Sequence, residues 1–76
     1  MSGPDIEVDA RGLLCPLPIL RLARAFRGSP SGAVARLLAT DPAAVADVEA
    51  FCREKGYTLL ATDREGGVLR FRIRKL

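Results

Sequence analysis

Apolar and polar positions change period several times along the 76 residues, and each change marks an element. Ile6-Glu7-Val8-Asp9 alternates strictly, placing Ile6 and Val8 on one face and Glu7 and Asp9 on the other, as a half-buried strand does. Further on, Ile19, Leu20, Ala23 and Phe26 recur at helical spacing, with Arg21, Arg24 and Arg27 on the solvent side. This predicts a helix from about Pro16 to Arg27. Gly28-Ser29-Pro30-Ser31-Gly32 stops it. Alternation returns over Ala33 to Thr40, with Ala35, Leu37 and Ala39 on one face, and its apolar bias marks a central strand.

A second helix opens at Thr40-Asp41-Pro42, with Asp41 as N-cap and Pro42 as the first helical residue. It runs to about Lys55 and ends at Gly56. Ala44, Val45, Val48, Phe51 and Cys52 form its apolar stripe, while Asp47, Glu49, Arg53 and Glu54 point outward. Tyr57 to Asp63 and Val68 to Lys75 then read as two strands joined through Arg64-Glu65-Gly66-Gly67, a hairpin. Right-handed crossovers put both helices on the same side of the sheet. The fold class is α+β: a two-layer βαβαββ sandwich, a mixed four-stranded sheet with two helices packed on one face.

Composition narrows the chemistry. Residues 1–76 make one small domain, with residues 1–4 as a loose leader, and a core of this size is marginal. With 49% hydrophobic and 28% charged residues the chain is globular rather than disordered. No apolar run nears the roughly 20 residues of a membrane span. Met1 to Asp5 lacks the basic and apolar regions of a secretory signal. The expected location is therefore cytoplasmic, where thiols stay reduced. Two cysteines and no histidine exclude a Cys–His nucleophile pair and a histidine-bearing zinc site. No Cys-x-x-Cys redox motif is present either. The net charge of +3, with an isoelectric point near 9.4, suits an acidic protein partner or RNA and decides between neither.

The candidate chemistry lies in Asp9-Ala10-Arg11-Gly12-Leu13-Leu14-Cys15-Pro16-Leu17-Pro18, a strand end, a glycine-bearing turn and a helix start. With Cys15 as N-cap, Pro16 takes N1 and Pro18 takes N3, so both rings stiffen the first turn where a missing N–H costs nothing. A thiol there sits over the positive end of the helix dipole, an environment that favours thiolate. Beside this reactive reading stands a second, in which Cys15 is a small buried hydrophobe. Cys52 falls on the apolar stripe of its helix and reads as core. The two cysteines are offset by about 15 Å along parallel helices, too far for a disulfide. The chain is thus expected to hold two free thiols of different accessibility.

Arg70, Arg72 and Arg74, with Arg36 beside them, line the open sheet face and raise an alternative: a regulatory or RNA-binding module. A solvated face with Glu7 and Asp9 as cross-strand partners explains the same pattern. Only Tyr57 offers itself for the base stacking that RNA-binding sheets use, so direct nucleic-acid binding is not expected. A peroxide or thiol sensor at Cys15 is a further alternative, short of a resolving cysteine if Cys52 is buried.

These residues resemble the TusA/SirA family of small sulfur carriers over nearly the whole chain. The likeness rests on Asp9-x-Arg11-Gly12-x-x-Cys15-Pro16-x-Pro18, on Thr40-Asp41-Pro42-Ala43, and on Phe51-Cys52-Arg53-x-x-Gly56-x-x-Leu59. It implies a persulfide relay in which Cys15 accepts a sulfane sulfur from a cysteine desulfurase or a rhodanese-like donor and passes it to a downstream protein. Such a carrier needs no cofactor and acts within a transfer chain rather than as a stand-alone enzyme. Arg11 then either reinforces the field at Cys15 or pairs with Asp9, and Gly12 serves the turn. Many relatives carry histidine where Tyr57 stands, which puts acid–base chemistry from that position in doubt. The family serves tRNA thiolation, molybdenum-cofactor and other sulfur assimilation, sulfur oxidation and selenium metabolism, and the sequence does not choose among them.

Overall fold

The computed structural model describes residues 5–76; the expected leader, residues 1–4, lies outside the described residues. The elements are β1 (Ile6–Ala10), α1 (Leu17–Phe26), β2 (Val34–Ala39), α2 (Ala44–Lys55), β3 (Thr58–Glu65) and β4 (Val68–Arg74). The sheet order is β1-β2-β4-β3. β1 and β2 are parallel, and β4 runs antiparallel to both its neighbours. β2 is interior, as its apolar bias predicts.

Register explains why one face is dry. Val8 pairs with Leu37, which pairs in turn with Phe71, and Ala10, Ala39 and Leu69 form the next row. These side chains are all buried, and against them pack Leu22 and Phe26 of α1 and Ala44, Val48, Phe51 and Cys52 of α2. Removing each large member from water contributes about 1.5–3 kcal/mol relative to exposure. In the row Glu7, Arg36, Arg72 the side chains point the other way, into solvent.

Two expectations shift in detail. The buried stripe of α1 is Pro18, Leu22 and Phe26, with Ile19 and Ala23 half-buried beside it, whereas Leu20 is 56% exposed. Leucines at 17, 20 and 22 make most of this helix circumference apolar, so periodicity alone does not fix which line of residues meets the sheet. The hairpin turn is shorter than expected. Arg64 and Glu65 pair with Leu69 and Val68, leaving only Gly66 and Gly67, at φ 57° and 83°, to make the reversal.

Size is distributed unevenly along the core. Ala10, Ala39 and Ala44, each at most 1% exposed, stand where β1 and β2 end and α2 begins. Three of the four aromatic residues cluster toward the opposite end of α1, where Tyr57 meets Phe26 and Phe51 edge-on at 5.2 and 5.7 Å between ring centres. Small side chains let the strand ends and the helix starts approach closely. That close end is where Cys15 sits.

Candidate thiol site

Parallel pairing of β1 and β2 brings their C-terminal ends side by side, so the turns that follow them meet although they are far apart in sequence. Side chains of the second turn serve the backbone of the first. Gly12 N–H donates to Thr40 Oγ1 at 2.9 Å, and Cys15 N–H donates to Asp41 Oδ2 at 2.8 Å. Asp41 Oδ1 accepts the N–H of Ala43 at 3.0 Å, so one carboxylate bridges both turns. These bonds hold the carboxyl of Asp41 below its ordinary range. Gly12 has φ 81°, a left-handed conformation that side chains avoid, although a Cβ there would meet nothing within 4 Å. Glycine is required at this point for its backbone, not for space.

Cys15 lies one residue further from the helix than its expected N-cap position. Leu17 N–H donates to Leu14 O at 2.9 Å, closing a turn with Cys15 and Pro16 at its centre, and the Cys15–Pro16 peptide is cis. Pro16, at φ −99° and ψ 15°, becomes the N-cap and makes no side-chain cap bond. Leu17 is therefore N1 and Pro18 N2. Asp41 is displaced likewise. The N-cap of α2 is Ala43, because Pro42 and Ala43 first form a turn in which Asp41 O accepts the N–H of Ala44 at 2.9 Å.

The thiol of Cys15 is exposed and free, and that of Cys52 is buried and free. This matches the expected pair of unlike thiols and excludes the buried reading of Cys15. Near Cys15 in sequence, Leu14, Leu17 and Leu20 are exposed, at 70%, 47% and 56%. Cys15 itself lines a shallow groove between α1 and α2 together with Pro16, Ile19, Asp47, Ala50, Phe51 and Glu54.

The electrostatics differ from expectation. Cys15 is pushed above the ordinary thiol value, first by a hydrogen bond with the Asp47 carboxylate, then by desolvation and by the charges of Asp47 and Asp41. The thiolate expected from a helix N-terminus is thus opposed by Asp47, which a reading of α2 alone had turned outward, and by Asp41, read there as a cap. Asp47 is half-buried instead. Its Oδ2 is fully shielded and receives no fixed hydrogen bond.

Arg11 does not reinforce the site. Its Nε and Nη2 donate to the two carboxylate oxygens of Asp9, both at 2.9 Å, a bidentate pair of the geometry arginine favours. This draws Asp9 down to about 2. The partner of Arg36 is Glu7 at 3.3 Å, as cross-strand reasoning expects, whereas Asp9 is committed to Arg11. Arg70 pairs with Asp63 and Glu65, and Arg72 with Asp5. Tyr57 packs among the aromatics at the far end of α1, about one ten-residue helix length from Cys15, roughly 15 Å.

Sequence reasoning singled out Cys15, Gly12 and the prolines, which lie together on one turn, but gave no sign of Thr40 as its tether, of the bridging bonds of Asp41, or of Asp47 beside the groove. One signal for Asp47 was available: it stands one turn before the stripe residue Phe51, on the flank of the buried face.

Fold and site together define a two-layer α+β domain that displays one accessible thiol at the C-terminal end of a parallel strand pair. Comparison gives the particular family. A family model described as Sulfurtransferase TusA matches residues 6–75. The Sulfur carrier protein TusA of Allochromatium vinosum is 44% identical over 75 residues, covering 99% of each chain. That of Pseudomonas syringae pv. syringae is 39% identical over 71 residues, 93% of this chain and 84% of the relative. A SirA-like protein from Desulfitobacterium hafniense has the same fold, with a TM-score of 0.80 at 24% identity over 91% of this chain and 95% of its own. The chain belongs to the TusA family.

Proposed function

We propose that this protein is a sulfur carrier that holds a sulfane sulfur as a persulfide on Cys15. The observation that carries the reading is the placement of its one exposed thiol, on a turn tethered by Thr40 and Asp41, in a chain whose full-length relative is named a sulfur carrier. Pro16 and Pro18 stiffen the mount. The sulfur arrives from a donor persulfide on a cysteine desulfurase or a rhodanese-like enzyme and leaves to an acceptor protein. The exposed Leu14, Leu17 and Leu20 suit transient protein contact.

In the loading step the Cys15 sulfur, as thiolate, attacks the terminal sulfur of the donor persulfide. A new S–S bond forms on Cys15 and the donor S–S bond breaks, the donor keeping the bonding pair as its own thiolate. The proton lost by Cys15 is made up at the donor thiolate, so the two partners exchange a sulfur with no net oxidation. Neither cofactor nor metal enters this chemistry, and the whole of residues 1–76 acts as one carrier domain in the cytoplasm. Among the described residues no helix is long and apolar enough to cross a membrane. The arginine face is an unpromising nucleic-acid surface, since Arg36, Arg70 and Arg72 are already engaged by carboxylates.

Intact mass after incubation with a desulfurase plus cysteine, or a rhodanese plus thiosulfate, tests the reading. Wild type gains one reductant-sensitive sulfur, and Cys15→Ser gains none. Loading that survives in Cys15→Ser, or no loading of wild type with either donor, refutes it.

A further inference from the structure

The two edges of the sheet are built differently. β3 carries a register shift between Leu59 and Ala61 and runs out in the charged Asp63, Arg64 and Glu65, devices that blunt an edge against further pairing. β1, the other edge, pairs with β2 from Ile6 to Ala10 without a shift. In a parallel ladder alternate residues turn their N–H and C=O to the neighbouring strand, and the residues between turn theirs away. Arg21 Nη1 reaches Asp9 O from the α1 side at 3.5 Å, so Asp9 and, two residues back, Glu7 offer their main-chain groups outward. Beyond them lies a groove of about 460 Å³ between β1 and α1, lined by Glu7, Val8, Asp9, Arg21, Arg24 and Ala25. Its acids are already engaged, Glu7 by Arg36 and Asp9 by Arg11. Its cations are not: Arg21 and Arg24 are exposed and form no ion pair among the described residues.

We propose that β1 is a docking edge on which a partner protein lays an extended segment, carrying carboxylates on alternate residues, as an added strand. The outward groups of Glu7 and Asp9 supply the main-chain pairing, and Arg21 and Arg24 supply the selection. The spacings agree. Side chains three apart on a helix stand about 5–6 Å from each other, and alternate residues of a strand about 6–7 Å. Two carboxylates on the α1 side of the added strand thus meet one arginine each. The residues between them lie over the Glu7 and Asp9 pairs, where charge is already balanced. Arg21 gives up only its long contact to Asp9 O, which an incoming N–H replaces. A second copy of this chain is a poor occupant, because every antiparallel register that joins the outward groups of Glu7 and Asp9 to those of a copy sets acid opposite acid. β1 runs directly into the turn that bears Cys15, so the segment is laid toward the reactive end of the molecule. The partner's place in a sulfur relay rests on the carrier reading; the docking edge itself does not.

The test uses the full chain, isotope-labelled for amide NMR, and a synthetic peptide of alternating glutamate and valine with both ends blocked. Saturable binding should slow solvent exchange of the Glu7 and Asp9 amides several-fold, while those of Val8 and Ala10, turned toward β2, stay as they are. Added salt should weaken the binding, and the double variant Arg21→Gln, Arg24→Gln should weaken it several-fold. A peptide of alternating lysine and valine should not bind, and N-methylation along the pairing edge of the glutamate peptide should abolish its binding. No saturable binding to wild type, protection away from β1, or equal binding of the N-methylated peptide overturns the proposal. So does protection of the Glu7 and Asp9 amides in the protein alone that grows with its concentration, since a second copy is then the occupant. The exchange pattern of wild type needs no variant, so a misfolded variant does not remove the test. Failure to load sulfur would instead count against the carrier reading, which these peptides do not probe.

Discussion

Cys15 and Cys52 carry the same side chain, and the regions that hold them treat it in different ways. Both thiols are shifted upward. For Cys52 the cause is burial alone, against a core that includes Val48 and Phe51. For Cys15 the leading cause is a neighbouring carboxylate. Burial by a packed helix is removed only by unfolding, whereas a carboxylate beside an exposed thiol leaves the sulfur within reach. The core cysteine is therefore silenced by inaccessibility, and the surface cysteine is quietened only by the charge beside it.

The largest expected effect separates these two kinds of silence. Under native conditions iodoacetamide should modify Cys52 at least about a hundredfold more slowly than Cys15, because Cys52 reacts only through opening of α2 against the sheet. Mass mapping of the labelled peptides over time reads the ratio. Equal rates would mean that α2 frays around Cys52 and that the contrast is false. In denaturant the two rates should converge, which sharpens the assignment to burial.

A smaller effect concerns the mount. Asp41→Ala removes the acceptor for both Cys15 N–H and Ala43 N–H, so the variant should melt a few degrees below wild type and load sulfur more slowly. Circular dichroism melts and intact mass read the two. An unchanged melt would show that Thr40 and the sheet hold the turn without help.

The smallest effect belongs to Arg11. Because its guanidinium is committed to Asp9, Arg11→Ala should leave the alkylation midpoint of Cys15 where it is, while Asp9 rises from about 2 toward the ordinary carboxylate value. The sign follows from the depressed value. The Asp9–Arg11 pair is intact above ordinary carboxylate pH, and its contribution is lost as pH falls toward 2. Carboxyl NMR titration of both proteins checks this. A Cys15 midpoint that rose in the variant would show that Arg11 does favour the thiolate.

The architecture was legible because each element announces itself locally. Ile6 to Asp9, Ala35 to Ala39 and Leu69 to Ile73 alternate, and glycines stand at the turns where positive φ is needed. Cys15 and its prolines were legible too, as a motif. What the chain order hid was everything that depends on two segments meeting. Asp41 reads as a helix cap until β1 and β2 pair, after which its second oxygen finds Cys15. Asp47 looks like a solvent residue on a helical wheel, since the wheel does not show that the turn before α1 folds over that flank of α2. The helix starts moved by one or two residues for a related reason: short hydrogen-bonded turns at Leu14–Leu17 and Asp41–Ala44 precede the helices proper.

The tether from Thr40 and Asp41 to Gly12 and Cys15 has a consequence for how the molecule comes apart. A reactive turn on most surfaces is an independent, loosely held unit that opens without disturbing its scaffold. Here the turn borrows its hydrogen-bond acceptors from the far side of a strand pairing, across 26 and 28 residues of sequence. It shares the cooperativity of the sheet. A chain caught partway through folding, with β1 not yet docked on β2, displays a cysteine but not the mount, and so competence for transfer and completion of the sheet arrive together.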